Sequence, residues 1–135
     1  MSTEGKAPLH QFLCIIPDLP NAPRLEVRPA HMKGAVKSAV NGDFVVMGGA
    51  YLTHHPTPSN GSPPADRDIP FAGSAMVVIA ESKEEVMRKI REDPYTKGGV
   101  WDADNARVWS YKTVFAAPPH PAAIFEKKPD TGAAE

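Results

Sequence analysis

Residues 73–95, GSAMVVIAESKEEVMRKIREDPY, predict one complete strand–helix unit. Ser74–Ala80 is a continuous apolar run, which is typical of a strand that is buried on both faces. Ser82 follows as a helix N-cap, and Glu85 three residues later completes a capping box. Pro94 ends the helix, because the residue before a proline avoids the helical conformation. The face of this helix toward the core is aliphatic and comprises Val86 and Ile90.

A similar unit precedes this stretch. Gln11–Ile16 is apolar and predicts a buried strand that ends at Pro17. Residues 17–29 hold four prolines, so we expect irregular chain until Pro29 takes the first position of a helix. His31 then falls in the first turn. Apolar residues at helical spacing predict the core-facing stripe of this helix: Met32, Ala35, Val36, Ala39 and Val40.

Two further strands complete the pattern. Phe44–Leu52 predicts one, with Gly48-Gly49 marking a bulge or a close approach. Ala106–Phe115 predicts the other, with Trp109 and Tyr111 as packing residues on one face. The order β-α-β-β-α-β predicts an α+β ferredoxin-like fold, an antiparallel four-stranded sheet with two helices on one face. Because the first and third strands are apolar throughout, we expect the other face to be covered by a second copy, giving a homodimer.

The remaining segments are rich in proline. Residues 1–10 predict an N-terminal arm, and residues 11–115 form the single predicted domain. Within it, residues 53–72 predict a long loop, and such loops are usually functional or disordered. Residues 116–135 are rich in proline and alanine and predict a flexible tail, in which Ile124 and Phe125 could dock onto the domain.

Composition excludes several classes of function. The chain has 135 residues, and 15 Lys+Arg against 16 Asp+Glu give a net charge of −1, so we expect neither nucleic acid nor a membrane as a partner. The absence of a secretory leader predicts a cytoplasmic protein. A single cysteine, Cys14, excludes a multi-cysteine zinc site and is expected to be an inert buried thiol. No phosphate-binding or dinucleotide-binding motif occurs, so we expect no cofactor.

His31 and Asp93 are the leading candidates for chemistry. The two helices of a βαββαβ fold run antiparallel, so the start of the first lies beside the end of the second. The topology therefore predicts that His31 and Asp93 meet. A carboxylate fixes the tautomer of a histidine and favours its charged form, which outlines an acid–base pair, whereas a nearby helix N-terminus favours the neutral form. The alternative is that the pair only ties two helix ends together.

Other side chains are weaker candidates for substrate binding. Arg28 could hold an anionic oxygen or form only a surface salt bridge. His54 and His55 lie in the long loop, and alternation lets at most one of them face a cleft. A metal site would need one of these two histidines beside His31 and Asp93, and we expect no metal. Further candidates for substrate contacts are Ser74 and Tyr95.

Three short motifs carry a family resemblance: Val27-Arg28-Pro29-Ala30-His31, then Gly73-Ser74-Ala75, then Asp93-Pro94-Tyr95 followed by Gly99-Val100. In this order and spacing the chain resembles the YciI-like (YCII-related) family over about residues 11–115. The resemblance implies a dimeric α/β barrel with His31 and Asp93 as the active-site pair. Its relatives include a dehydrochlorinase that acts on a chlorinated hydroxyquinol. The long 53–72 loop and the tail depart from small family members.

Residues and resemblance together predict a cofactor-independent lyase or isomerase. His31 would move a proton on a small hydroxylated cyclic or aromatic substrate, including polyketide-like acids of specialised metabolism, by elimination, decarboxylation, isomerisation or cyclisation. Arg28, with Ser74 or a loop histidine, would hold the developing oxyanion. The alternative is a non-catalytic, dimeric small-molecule-binding module. Haem or oxygen chemistry is a third option that rests on analogy of fold alone.

Overall fold

A computed structural model of the chain describes residues 7–58 and 61–118. Most of the predicted arm, the greater part of the predicted tail, and with it Ile124 and Phe125, lie outside the described residues. No helix within the described ranges is long and apolar enough to cross a membrane.

Four strands form one antiparallel sheet: β1 (His10–Pro17), β2 (Val45–Leu52), β3 (Phe71–Ala80) and β4 (Arg107–Tyr111). Their order across the sheet is β2-β3-β1-β4, and every neighbouring pair is antiparallel. This is the strand order of a split βαββαβ unit. The predicted α+β ferredoxin-like fold is therefore confirmed.

Among the described residues, three α-helices accompany the sheet: α1 (Arg24–Asn41), α2 (Lys83–Glu92) and the single turn α3 (Pro94–Lys97). The capping box at the start of α2 forms as predicted, because the Glu85 amide donates to Ser82 Oγ at 3.1 Å. The Glu85 carboxylate in turn accepts from the Glu81 amide at 2.9 Å. Pro94 ends α2 but also opens α3, where a proline at the first position leaves no hydrogen bond unmade.

The predicted start of α1 is wrong. The helix begins at Arg24, so Pro29 is its sixth residue and lies inside it. A proline there removes one helical hydrogen bond, but the turn before it is held by tertiary contacts. Arg24 is buried and bonded to other elements, and Val27 packs against the core. His31 is consequently the eighth helical residue, beyond the first turn, where the helix dipole acts weakly.

The predicted core face of α1 is wrong as well. Met32, Val36 and Val40 are 42%, 53% and 79% exposed. The more buried side of the helix instead carries a stripe that is mostly polar or small: Arg24, Val27, His31, Ala35 and Ser38. The polar members of this stripe are tolerated inside because each is hydrogen-bonded.

The core lies between the sheet and the helices. Alternate side chains of β1 point into it, namely Phe12, Cys14 and Ile16, and Val86 and Ile90 of α2 cover them as predicted. Burial raises the pKa of the Cys14 thiol to about 12, which agrees with an inert buried cysteine.

The opposite face of the sheet is partly open within one chain. Leu13 and Ile15 are half-buried within one chain. Trp109 and Tyr111 on β4 are 46% and 41% exposed, so they do not pack within one chain. β4 also ends at Tyr111 rather than Phe115. The Gln11 side chain accepts from the Thr113 amide at 2.9 Å, in place of a continued backbone ladder.

The long loop is shorter than predicted, because β3 begins at Phe71. Within β3, Gly73 is required by a close approach, since a Cβ there would lie 2.3 Å from the Ile16 carbonyl oxygen and from the Tyr51 ring. In β2, the register shifts fall between Val45 and Met47 and at the strand's end, not at Gly48-Gly49. A Cβ on Gly48 would meet the Met76 side chain at 3.4 Å, an ordinary van der Waals contact, and a Cβ on Gly49 would meet nothing within 4 Å. The predicted bulge or close approach at these two glycines is therefore wrong.

Candidate active site

His31 and Asp93 are in direct contact. Nδ1 of His31 lies 2.8 Å from Oδ1 of Asp93, although the residues are 62 positions apart in sequence. Both side chains are partly buried, which strengthens their interaction relative to a surface pair. The topology predicted that they would meet, and the structure places them within hydrogen-bonding distance.

Asp93 is fixed by its position between two helices. It ends α2 and serves as the N-cap of α3, where its Oδ1 also accepts from the Tyr95 amide at 2.8 Å. The bond to the Tyr95 amide thereby holds the carboxylate in the orientation in which it contacts His31. The Asp93-Pro94-Tyr95 sequence thus places the carboxylate and the aromatic ring beside the same imidazole.

Aromatic rings enclose the imidazole. The rings of His31 and Tyr95 are stacked, with centroids 3.9 Å apart and planes 13° apart. The Trp101 ring meets His31 edge-on at 5.3 Å. Tyr95 is buried, and this burial raises the pKa of its phenol, opposed by the charge of the nearby Arg24. These contacts restrict the imidazole to the plane that faces Asp93.

The hydrogen bond determines which ring nitrogen can act on a substrate. An ionised carboxylate only accepts, so Nδ1 of His31 donates the bond and carries the proton. Among the described residues, Nε2 has no hydrogen-bond partner. No fully buried side-chain nitrogen or oxygen in those ranges lacks a partner, so Nε2 is in contact with solvent. In the neutral imidazole, Nε2 is therefore an accessible base.

Sequence reasoning missed the buried cation of the site, Arg24. Its guanidinium pairs with both carboxylate oxygens of Asp18 at 2.8 and 3.1 Å and donates to Ser74 Oγ at 2.7 Å. It also lies 4.8 Å from the Tyr95 ring centroid. Its position seven residues before His31 puts both on one side of α1. That spacing could have identified Arg24 if the helix had not been predicted to start at Pro29.

Ser74 and Tyr95 are brought to the site as supporting residues. Ser74 is buried, and its hydroxyl also accepts from the Trp101 indole at 3.0 Å. The Tyr95 hydroxyl lies 3.5 Å from a guanidinium nitrogen of Arg24. Both side chains therefore belong to the hydrogen-bonded network behind the imidazole.

Arg28, His54 and His55 are not brought against the His31–Asp93 pair. Arg28 pairs with Asp66 at 3.4 Å, and both side chains are well exposed. His54 is exposed and bonds to its neighbour Thr53 at 3.0 Å. His55 is likewise exposed. Over residues 7–58 and 61–118, no group of three or more His, Cys, Asp or Glu side chains is arranged to hold a metal ion.

A small cavity adjoins the pair, between α1, α2 and the sheet. It measures about 70 Å³, and its lining includes His31, Gly34, Phe44, Met76, Lys89 and Asp93. An apolar cavity that takes a benzene ring has about 150 Å³. This cavity is therefore too small to enclose a whole substituted ring. A wider cleft of about 420 Å³ lies beside the start of α1 and is lined by Arg24, Asp66 and Phe71 among others.

Comparisons with known proteins identify a family and relatives of the chain. A family model, the YCII-related domain, matches residues 10–110. The chain is 36% identical to the aspercryptin biosynthesis cluster protein B of Emericella nidulans over 105 residues, 76% of this chain and 63% of that protein. It therefore spans less than two thirds of that relative. It is 35% identical to fusaric acid biosynthesis protein 2 of Gibberella fujikuroi over 115 residues, 84% of this chain and 99% of that protein.

A solved structure has the same fold. It is the 5-chloro-2-hydroxyhydroquinone dehydrochlorinase of Burkholderia phenoliruptrix in complex with 2,5-dihydroxybenzoquinone. The TM-score is 0.50 at 26% sequence identity, and the match covers 76% of this chain and 93% of that one.

Proposed function

The chain belongs to the family of YCII-related domains, and from this premise we propose that it is a lyase or isomerase acting on a small hydroxylated ring. The observation that carries the proposal is the 2.8 Å contact between His31 Nδ1 and Asp93, which leaves Nε2 without a hydrogen bond on a residue that also lines a cavity. The proposal requires no cofactor, because the proton transfer uses only these two side chains.

The similar proteins support the class of substrate. Two relatives are named for the biosynthesis of aspercryptin and of fusaric acid. The solved neighbour is named for the dehydrochlorination of a chlorinated hydroxyhydroquinone. The name of the solved neighbour specifies a hydroxylated ring, and such a ring suits the aromatic walls of the site.

The mechanism begins with proton removal. Nε2 of His31 accepts a proton from a ring hydroxyl or from a carbon next to a carbonyl, and the electron pair moves into the ring as an enolate or phenolate. The Asp93 carboxylate stabilises the imidazolium that forms, through the same Nδ1 bond. Elimination then expels a leaving group with its electron pair, and isomerisation returns the proton from His31 to another atom. In decarboxylation the proton returns to the ring carbon that bears the carboxylate, and carbon dioxide leaves from that carbon. In cyclisation the carbanion attacks a carbonyl carbon of the same molecule, and the carbonyl oxygen takes up the proton from His31.

Proton exchange tests this step without knowledge of the natural substrate. We expect the protein in deuterium oxide to speed the exchange of ring hydrogens of 1,2,4-trihydroxybenzene and to lose this activity about 100-fold or more in His31→Gln. His10→Gln, which alters an exposed histidine at the start of β1, is the matched control. Saturable binding of the ring with no exchange above background would instead favour the non-catalytic binding module.

We also propose that the protein acts as a homodimer through the open face of its sheet. That face carries the half-buried Leu13 and Ile15, with the more exposed Trp109 and Tyr111 beside them on β4. A contiguous apolar face of this kind is typical of an interface. Sedimentation should give the mass of two chains for the wild type and of one chain for Trp109→Glu. A wild-type monomer at micromolar concentration would contradict the dimer.

A further inference from the structure

A cation near an ionised ring oxygen stabilises its charge, and Arg28 was the predicted source of that cation. In the structure, Arg28 instead forms an exposed ion pair with Asp66. Arg24 is committed to Asp18 and Ser74 in the network behind the site. Neither arginine lines the small cavity beside His31. Of the described residues that do, Lys89 is the one lysine or arginine.

Lys89 reaches the cavity because of its place on α2. It lies four residues before Asp93, so the two side chains share one side of the helix. Its ammonium nitrogen lies 4.5 Å from the centroid of the Phe44 ring, which also lines the cavity. The cation is thus held against an aromatic face rather than extended into solvent.

The ammonium of Lys89 has few partners among the residues that the structure describes. Within the described ranges its ammonium has one charged neighbour, Glu85, at 3.7 Å, and donates no hydrogen bond. The other oxygen of Glu85 already accepts from the Glu81 amide at 2.9 Å as part of the helix cap. Three ammonium donors therefore remain available on a side chain that is only 31% exposed.

We propose that Lys89 binds an ionised oxygen of the substrate, a ring phenolate or enolate, while His31 handles the proton. A ring that enters the cavity by its edge meets Lys89 from α2 and His31 from α1 on the lining of the same space. A partly desolvated ammonium stabilises an anionic oxygen more strongly than an exposed one. This inference rests on the proposed function and specifies its substrate as an acidic hydroxylated ring.

Binding of 2,5-dihydroxybenzoquinone, whose hydroxyls are acidic, provides the test. Its neutral partner is 2,5-dimethoxybenzoquinone. Lys89→Met keeps the aliphatic chain and removes the charge, and should weaken binding of the acidic probe by about 10- to 100-fold. It should leave binding of the neutral probe unchanged. Lys89→Arg should restore most of the affinity, because it restores the charge. Arg88→Met, on an exposed side chain of the same helix, is the matched control.

The outcomes separate this inference from the proposed function. Equal affinity of Lys89→Met and wild type for the acidic probe, with the His31 ring resonances still shifted by the probe, would overturn the role of Lys89 alone. Binding that depends on Lys89 but leaves the His31 resonances unmoved would also overturn it, because the two would not share a site. No binding of the acidic probe to the wild type would overturn it as well. In each case, hydrogen exchange measured in the wild type and in His31→Gln tests the proposed function separately.

Discussion

The two long helices pack on the same face of the sheet in opposite ways. α2 follows ordinary amphipathic rules, with buried Val86 and Ile90 and charged residues outside. α1 buries Arg24 and places His31 toward the interior, while Val36 and Val40 are exposed. α2 therefore serves mainly to build the core, with chemistry confined to one edge. α1 gives much of its packing side to polar groups, and this difference marks it as the helix that carries the site.

The largest loss of free energy of unfolding is expected from a substitution on the buried, polar side of α1. Arg24→Met would leave the Asp18 carboxylate buried without its partner, and breaking a buried pair costs about 3–5 kcal/mol. Arg28→Met, on the exposed pair with Asp66, should cost less than about 1 kcal/mol. Urea unfolding of both variants measures the difference. Equal costs would show that Arg24 is not the buried anchor of the first turn.

The second prediction compares the free energy of unfolding after truncation of an apolar residue in each helix. Ile90→Ala in α2 removes a fully buried side chain and should reduce the free energy of unfolding by about 2–5 kcal/mol. Val36→Ala in α1 should change it by no more than about 0.5 kcal/mol, because Val36 is exposed. Thermal unfolding at low protein concentration measures both. A large loss in Val36→Ala would mean that the outward side of α1 is covered in solution.

The success of sequence reasoning divides along the same line. The β-α-β-β-α-β order, the capping box and the core face of α2 were predictable, because local signals and burial agree there. For α1, the local sequence signals and the observed burial disagree. Pro29 resembles a first helical residue, yet tertiary contacts of Arg24 and Val27 support an earlier turn. Its apolar stripe satisfied the helical period but faces outward.

The candidate site was predictable in part for a related reason. Strand order alone brings His31 and Asp93 to one end of the domain, so their contact could be inferred across 62 positions. The cations could not be assigned in this way. Whether an arginine or lysine is buried depends on its partners in three dimensions. Arg24 is hydrogen-bonded to Asp18 and Ser74 in the interior. Arg28, one helical turn later, forms an ion pair at the surface.

The central claim is that Asp93 holds His31 with Nδ1 protonated and Nε2 free to act as a base. Nitrogen-15 NMR of the imidazole reports the tautomer directly, at about pH 8.5 where a free histidine is neutral. Asp93→Ser provides the comparison, because serine can still cap α3 but is too short to reach the imidazole. We predict an Nδ1-protonated imidazole in the wild type and a loss of that preference in Asp93→Ser. A wild-type imidazole protonated mainly on Nε2, and unchanged by Asp93→Ser, would contradict the account.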